Sequence, residues 1–154
     1  MAKEHLANYL NDHMAGAVSA LELLEQLGRE NQPPLGELKR DIEEDRRELK
    51  ALMQRLGIAE SRIRKVGGWL TEKLAEFKLN VDDPSDGSLR RFESLEALAI
   101  GIEGKRALWS ALRAASKFSR DLQGLDYPRL IQRAEQQRDL VEVLRLNAAK
   151  WALA

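Results

Sequence analysis

Apolar residues recur at spacings of three and four along nearly the whole chain, and alternation of apolar and polar residues is absent. A helix returns to the same face every 3.6 residues, whereas a half-buried strand needs a period of two. The pattern therefore specifies an all-α fold. The first stripe is Leu6, Leu10, His13, Ala17, Leu21, Leu24 and Leu27, with Gly28 as its stop. Pro33 and Pro34 suit the first turn of a second helix, which carries Leu38, Ile42, Asp45, Leu49, Leu52 and Leu56 and stops near Gly57. A shorter amphipathic piece spans 60–79, weakened by Gly67-Gly68, and a loop follows over 80–87. Ser88 suits an N-cap for a third helix carrying Phe92, Leu95, Ala99, Ile102, Arg106 and Trp109. Asp126-Tyr127-Pro128 opens a fourth helix with Leu130, Ala134, Val141, Leu144, Ala148 and Trp151.

Each of these helices is ~35 Å long at 1.5 Å per residue. Short links make helices one and two antiparallel neighbours, and likewise three and four. The link from two to three is about 30 residues, long enough to run back along a bundle. The expectation is an up-down-down-up four-helix bundle of ferritin-like topology, with a long helical crossover over residues 58–87 and helices two and three parallel. An up-down-up-down bundle with a decorated loop is the alternative.

The 154 residues amount to one domain, spanning 1–154. Lys plus Arg and Asp plus Glu are 25 each, so no global field gathers polyanions, and nucleic-acid binding is not expected. Cys is absent, which removes disulfides, thiol chemistry and zinc-thiolate sites. No apolar run reaches the roughly 18 residues of a membrane span, so no membrane partner is expected. Met1-Ala2-Lys3-Glu4-His5 lacks the apolar core of a secretion signal, and a cytoplasmic location is expected.

Four polar residues fall where the stripes call for core: His13, Asp45, Glu103 and Arg138. In the crossover arrangement Asp45 and Glu103 differ in depth by about four residues, roughly 6 Å of rise. All four can meet near mid-bundle, where two acids, an Arg and a His neutralise one another. Such a cluster is either a structural network or a small-molecule or metal site at the bundle centre.

Ferritin-like di-iron proteins place a Glu on each of two helices and Glu-x-x-His on each of the other two. Here the spacing appears as Glu43-x-x-Arg46, Glu135-x-x-Arg138 and Glu142-x-x-Arg145, with Arg at each metal-facing position. Arg has no lone pair to donate, so a normal di-iron centre is not expected. Glu22, Asp45, Glu96, Glu103 and Glu142 leave a carboxylate-only site as the alternative, one suited to Mg²⁺, Ca²⁺ or Mn²⁺. Ordinary helix-surface charge pairing explains the same spacing.

The segments Asn11-Asp12-His13-Met14-Ala15-Gly16-Ala17, Leu21-Glu22-Leu23-Leu24 and Leu98-Ala99-Ile100-Gly101-Ile102-Glu103-Gly104-Lys105 resemble a bacterial ferritin-like family lacking the usual di-iron motif. The resemblance covers nearly the whole chain. It implies a four-helix-bundle fold and no activity that transfers to named residues. Gly101 and Gly104 inside helix three each cost about 1 kcal/mol relative to Ala; close packing against Ala15-Gly16-Ala17 is the expected compensation, and room for a ligand beside Glu103 is the alternative.

Other chemistries lack their residues. Gly67-Gly68 is not followed by the Lys-Ser/Thr of a phosphate loop, and no nucleophile elbow surrounds any Ser. Arg62-Ile63-Arg64-Lys65 and Arg90-Arg91 are short and flanked by acids, which reads as solvated surface. Trp69, Leu70, Leu74 and Phe77 make a stripe on the crossover that reads as a lid on the bundle. The expected function is that of a non-catalytic bundle acting through protein contacts, with no cofactor. The alternative is a metal-binding protein or metal-dependent enzyme using bundle carboxylates. Trp109, Trp151 and the crossover stripe suggest uncovered apolar surface, so a homodimer is expected.

Overall fold

The computed structural model describes residues 1–28, 33–61 and 87–154, and these contain four α-helices and no strand. They are α1 (Ala2–Gly28), α2 (Pro33–Arg55), α3 (Ser88–Ala115) and α4 (Tyr127–Ala152), with a 3₁₀ turn at Arg120–Leu122 between the last two. Expectations for Gly67-Gly68, Arg62–Lys65, the Trp69–Phe77 stripe and most of the crossover fall outside the described residues.

Local chemistry sets the helix ends. After α2, Gly57 takes φ 65°. Its N–H donates to Gln54 O, and the N–H of Ile58 donates to Met53 O at 2.9 Å. This is the paired closure of a Schellman motif, with Ile58 tucked into the core beside Met53. Asp126 caps α4, its side chain accepting from Arg129 N at 3.0 Å, with Pro128 in the first turn. At α3 the expected cap moves by one residue. Ser88 is already helical, and Gly87 precedes it at φ 78° without a side-chain cap. A left-handed entry favours the residue without a Cβ over Ser.

Two apolar clusters form the core. One joins Leu10 and Met14 of α1, Leu49, Leu52 and Met53 of α2, Leu108, Trp109 and Leu112 of α3, and Tyr127 and Leu130 of α4. The other joins Leu24 and Leu27, then Leu35, Leu38 and Ile42, then Leu95, Leu98 and Ile102, then Ala134, Val141 and Ala148. The first cluster thus draws on the start of α1 and α4 and the end of α2 and α3. The second draws on the opposite halves.

Two expectations are corrected here. Trp109 is fully buried in the first cluster and adds nothing to the exposed surface, whereas Trp151 is exposed. A Cβ built at Gly101 would meet nothing within 4 Å, so this glycine does not mark a close approach of another backbone.

Candidate functional site

Between the two apolar clusters lies a layer of polar side chains, and the heptad-like stripes place them there. On α2 the buried positions run Leu35, Leu38, Ile42, Asp45, Leu49, Leu52. On α3 Lys105 lies between buried Ile102 and Trp109, three and four residues away. On α4 Gln137 lies between buried Ala134 and Val141 at the same spacings. Each of these polar residues occupies a stripe position, so helix packing brings them to one level.

Asp45 is at the centre, only 2% exposed. Its Oδ2 accepts from Lys105 Nζ at 2.5 Å and from Gln137 Nε2 at 3.1 Å. Its Oδ1 accepts from Arg133 Nε at 2.8 Å and also from Arg133 Nη2. A carboxylate has about four lone-pair sites, and four donors reach this one. Lys105 Nζ also donates to Gln137 Oε1, so both ends of that amide are used. Arg133 Nη1 donates outward to Glu44 Oε2 at 2.8 Å. Two acids and two bases make the set neutral.

Lys105 has a side chain 14% exposed. Burial pulls its ammonium below the usual lysine range, and the Asp45 carboxylate opposes that pull. Burial also works against the charge on Arg133, but the Asp45 and Glu44 carboxylates outweigh it and raise its pKa.

The four residues anticipated as one cluster are distributed over three places. Asp45 is in the polar layer, and none of its hydrogen bonds goes to Glu103, Arg138 or His13. Glu103 and Arg138 do meet, at 3.4 Å, but at the rim: the Glu103 side chain is 45% exposed. Glu103 is bound more tightly by Arg106 on its own helix, at 2.6 and 2.8 Å. The Arg106 hydrogen bond is the largest influence holding its carboxyl below the usual range; burial opposes it, and Arg138 adds to the lowering. His13 is half-buried with its ring edge-on to Tyr9 at 4.7 Å. Burial pulls its pKa down, with Asp12 opposing.

Lys105, Arg133 and Gln137 were missed from the sequence. The stripe is broad enough that Arg106 next to Lys105, and Arg138 next to Gln137, reach its edge, whereas Glu103 lies about 160° round the helix from Lys105 and off the stripe. Extending the strict three-four alternation through Leu95, Leu98, Ile102 and Trp109 points to Lys105. The same extension through Leu130, Ala134 and Val141 points to Gln137.

The Glu-x-x-Arg arginines all find carboxylates. Arg46 pairs with Glu60 at 3.5 Å. Arg145 holds Glu142 at 2.8 Å and Glu96 on α3 at 2.9 Å, with its guanidinium 5.8 Å from the centre of the Phe92 ring. Among the described residues no three of His, Asp and Glu gather in a way that could hold a metal ion. No helix there is long and apolar enough to cross a membrane. A cleft of about 280 Å³ is lined by Ser88, Arg91, Leu144, Asn147, Ala148 and Trp151. Asn147 stands ten residues along α4 from Gln137, about 15 Å, so cleft and polar layer are separate features. Compared with known proteins, the chain matches no family model, no curated protein and no solved structure.

Proposed function

We propose that this chain is a non-catalytic helical bundle of the ferritin-like, up-down-down-up type, acting through protein contacts. The topological part is supported by the core clusters, in which the starts of α1 and α4 lie with the ends of α2 and α3. In that reading α2 and α3 run the same way.

The functional part rests on one observation: the buried carboxylate at the bundle centre is saturated. A general base or a metal ligand needs a lone pair directed at a proton or an ion. All four sites of Asp45 are occupied by Lys105, Arg133 and Gln137. The layer then serves to fix helix register, because each polar group finds its partners at one level only.

Elemental analysis of protein purified without chelator tests the reading. Less than a tenth of an equivalent of any transition metal per chain is the expected result. Millimolar Mg²⁺, Ca²⁺ or Mn²⁺ should leave the urea midpoint unchanged. Two tightly held irons per chain overturn the proposal. So does a cation that stabilises the fold by about 2.7 kcal/mol, the effect of a ligand at a hundred times its Kd.

A further inference from the structure

The outer face of α4 carries a second periodic stripe. Gln136, Asp139, Val143, Leu146 and Lys150, with Leu153 one residue past the helix end, follow one another at alternating spacings of three and four, and each is exposed. The aliphatic members are 68% (Val143), 51% (Leu146) and 66% (Leu153) exposed. A three-four alternation on a helix surface is the seam of a two-stranded coil, with successive positions of a and d type. Single exposed aliphatics are ordinary, but three along one seam form a patch that water solvates poorly.

The order of residues along this seam is self-complementary when reversed. Consider two copies of α4 packed antiparallel about a two-fold axis that crosses between residues 144 and 145. Val143 of one copy then faces Leu146 of the other, Asp139 faces Lys150, and Gln136 faces Leu153. Every a-type position meets a d-type position, as an antiparallel seam requires. The result is an aliphatic centre with an opposite-charge pair on either side. A parallel arrangement would instead put Asp139 against Asp139 and Lys150 against Lys150. The Asp139 side chain is solvent-exposed, and its contact with neighbouring Arg138, at 3.1 Å, lies at the surface. The neutral net charge of the chain does not oppose self-association.

From this charge complementarity we propose that the outer face of α4 docks on the same face of a second copy, antiparallel and two-fold symmetric. A two-fold contact is isologous, so each pairing is made twice, and small gains per pair are doubled. This deepens the reading of the chain as a contact-forming bundle by naming the partner, and rests on that reading.

Sedimentation of the full chain over a concentration series tests it. Wild type should form a dimer at tens of micromolar. Leu146→Glu, which places a carboxylate in the aliphatic centre, should weaken the dimer at least a hundredfold. At a concentration low enough for wild type to be monomeric too, its urea midpoint should match wild type, because Leu146 is exposed in the single chain and dimer linkage is then absent; Val143→Glu provides a second variant of the same kind. Asp139→Lys sets Lys against Lys150 twice and should weaken the dimer about tenfold. Asp139→Lys combined with Lys150→Asp restores both pairs and should return the affinity to within threefold of wild type. A wild-type monomer at a hundred micromolar overturns the proposal. So does a dimer indifferent to both glutamate variants, or a double swap as weak as the single one. Metal content of the same samples keeps the two readings apart. A metal-free monomer sinks the docking face alone, and a metal-loaded dimer sinks the non-catalytic reading alone.

Discussion

Replacing Asp45 with Asn removes one charge and almost no volume, and its cost follows from the polar layer. Asp45 is the acceptor for Lys105, Arg133 and Gln137 and is itself fully buried. Arg133 keeps Glu44 as a partner on its outer side, so most of the penalty falls on Lys105. Breaking a buried pair by removing one partner costs about 3–5 kcal/mol, a large share of the 5–15 kcal/mol that holds a typical domain together. With a urea m-value of about 2 kcal/mol/M, the midpoint should fall by about 2 M. Glu103→Gln serves as the control, since that carboxylate sits at the exposed rim, and it should cost less than about 1 kcal/mol. Adding Lys105→Met to Asp45→Asn removes the stranded ammonium, and the double variant should be at least 1 kcal/mol more stable than the two single effects summed. The Asp45→Asn deficit also has a pH signature. Burial already lowers the Lys105 pKa in the folded chain, and loss of Asp45 removes an opposing pull. The folded variant then gives up the Lys105 proton before the unfolded chain, whose lysine titrates at about 10.4, and its stability rises as pH climbs towards that value. An Asp45→Asn midpoint within half a molar of wild type, or one that matches Glu103→Gln, would refute the reasoning.

Gly101→Ala should stabilise the protein by about 0.5–1 kcal/mol, because the position is inside α3 and open where a methyl would go; a lowered thermal midpoint would show an unrecognised contact there. His13 has a folded pKa below its unfolded value through burial. Its protonation therefore opposes folding, so stability should fall as pH drops below about 6.5, and His13→Gln should flatten that part of the urea-midpoint profile.

The extents of the helices were legible in the sequence because periodicity and end signals are local. Gly57 and Asp126 mark boundaries through their own backbone and side-chain chemistry, and the structure uses both. Ser88 was displaced by its neighbour because the chain enters α3 left-handed, a conformation that the residue pattern does not encode. Asp45 was legible as a buried acid because the stripe through Ile42 and Leu49 passes directly over it. Its partners were not. A core-facing stripe is about 100° wide, so Lys105 and Arg106 are both compatible with one face of α3 and Gln137 and Arg138 with one face of α4, whereas Glu103, two residues from Lys105 and about 160° round the helix from it, is not. Which of them turns inward depends on what the opposite helix presents at that level. Asp45 offers four acceptor sites at a buried position, and Lys105, Arg133 and Gln137 reach them. Glu103 and Arg138 meet each other at the rim, in contact with water. Periodicity along one helix determines which residues face inward as a group. Only the packing of helices against one another decides which charges become partners, because burial makes the choice of partner cost several kcal/mol, while at the surface it costs almost nothing.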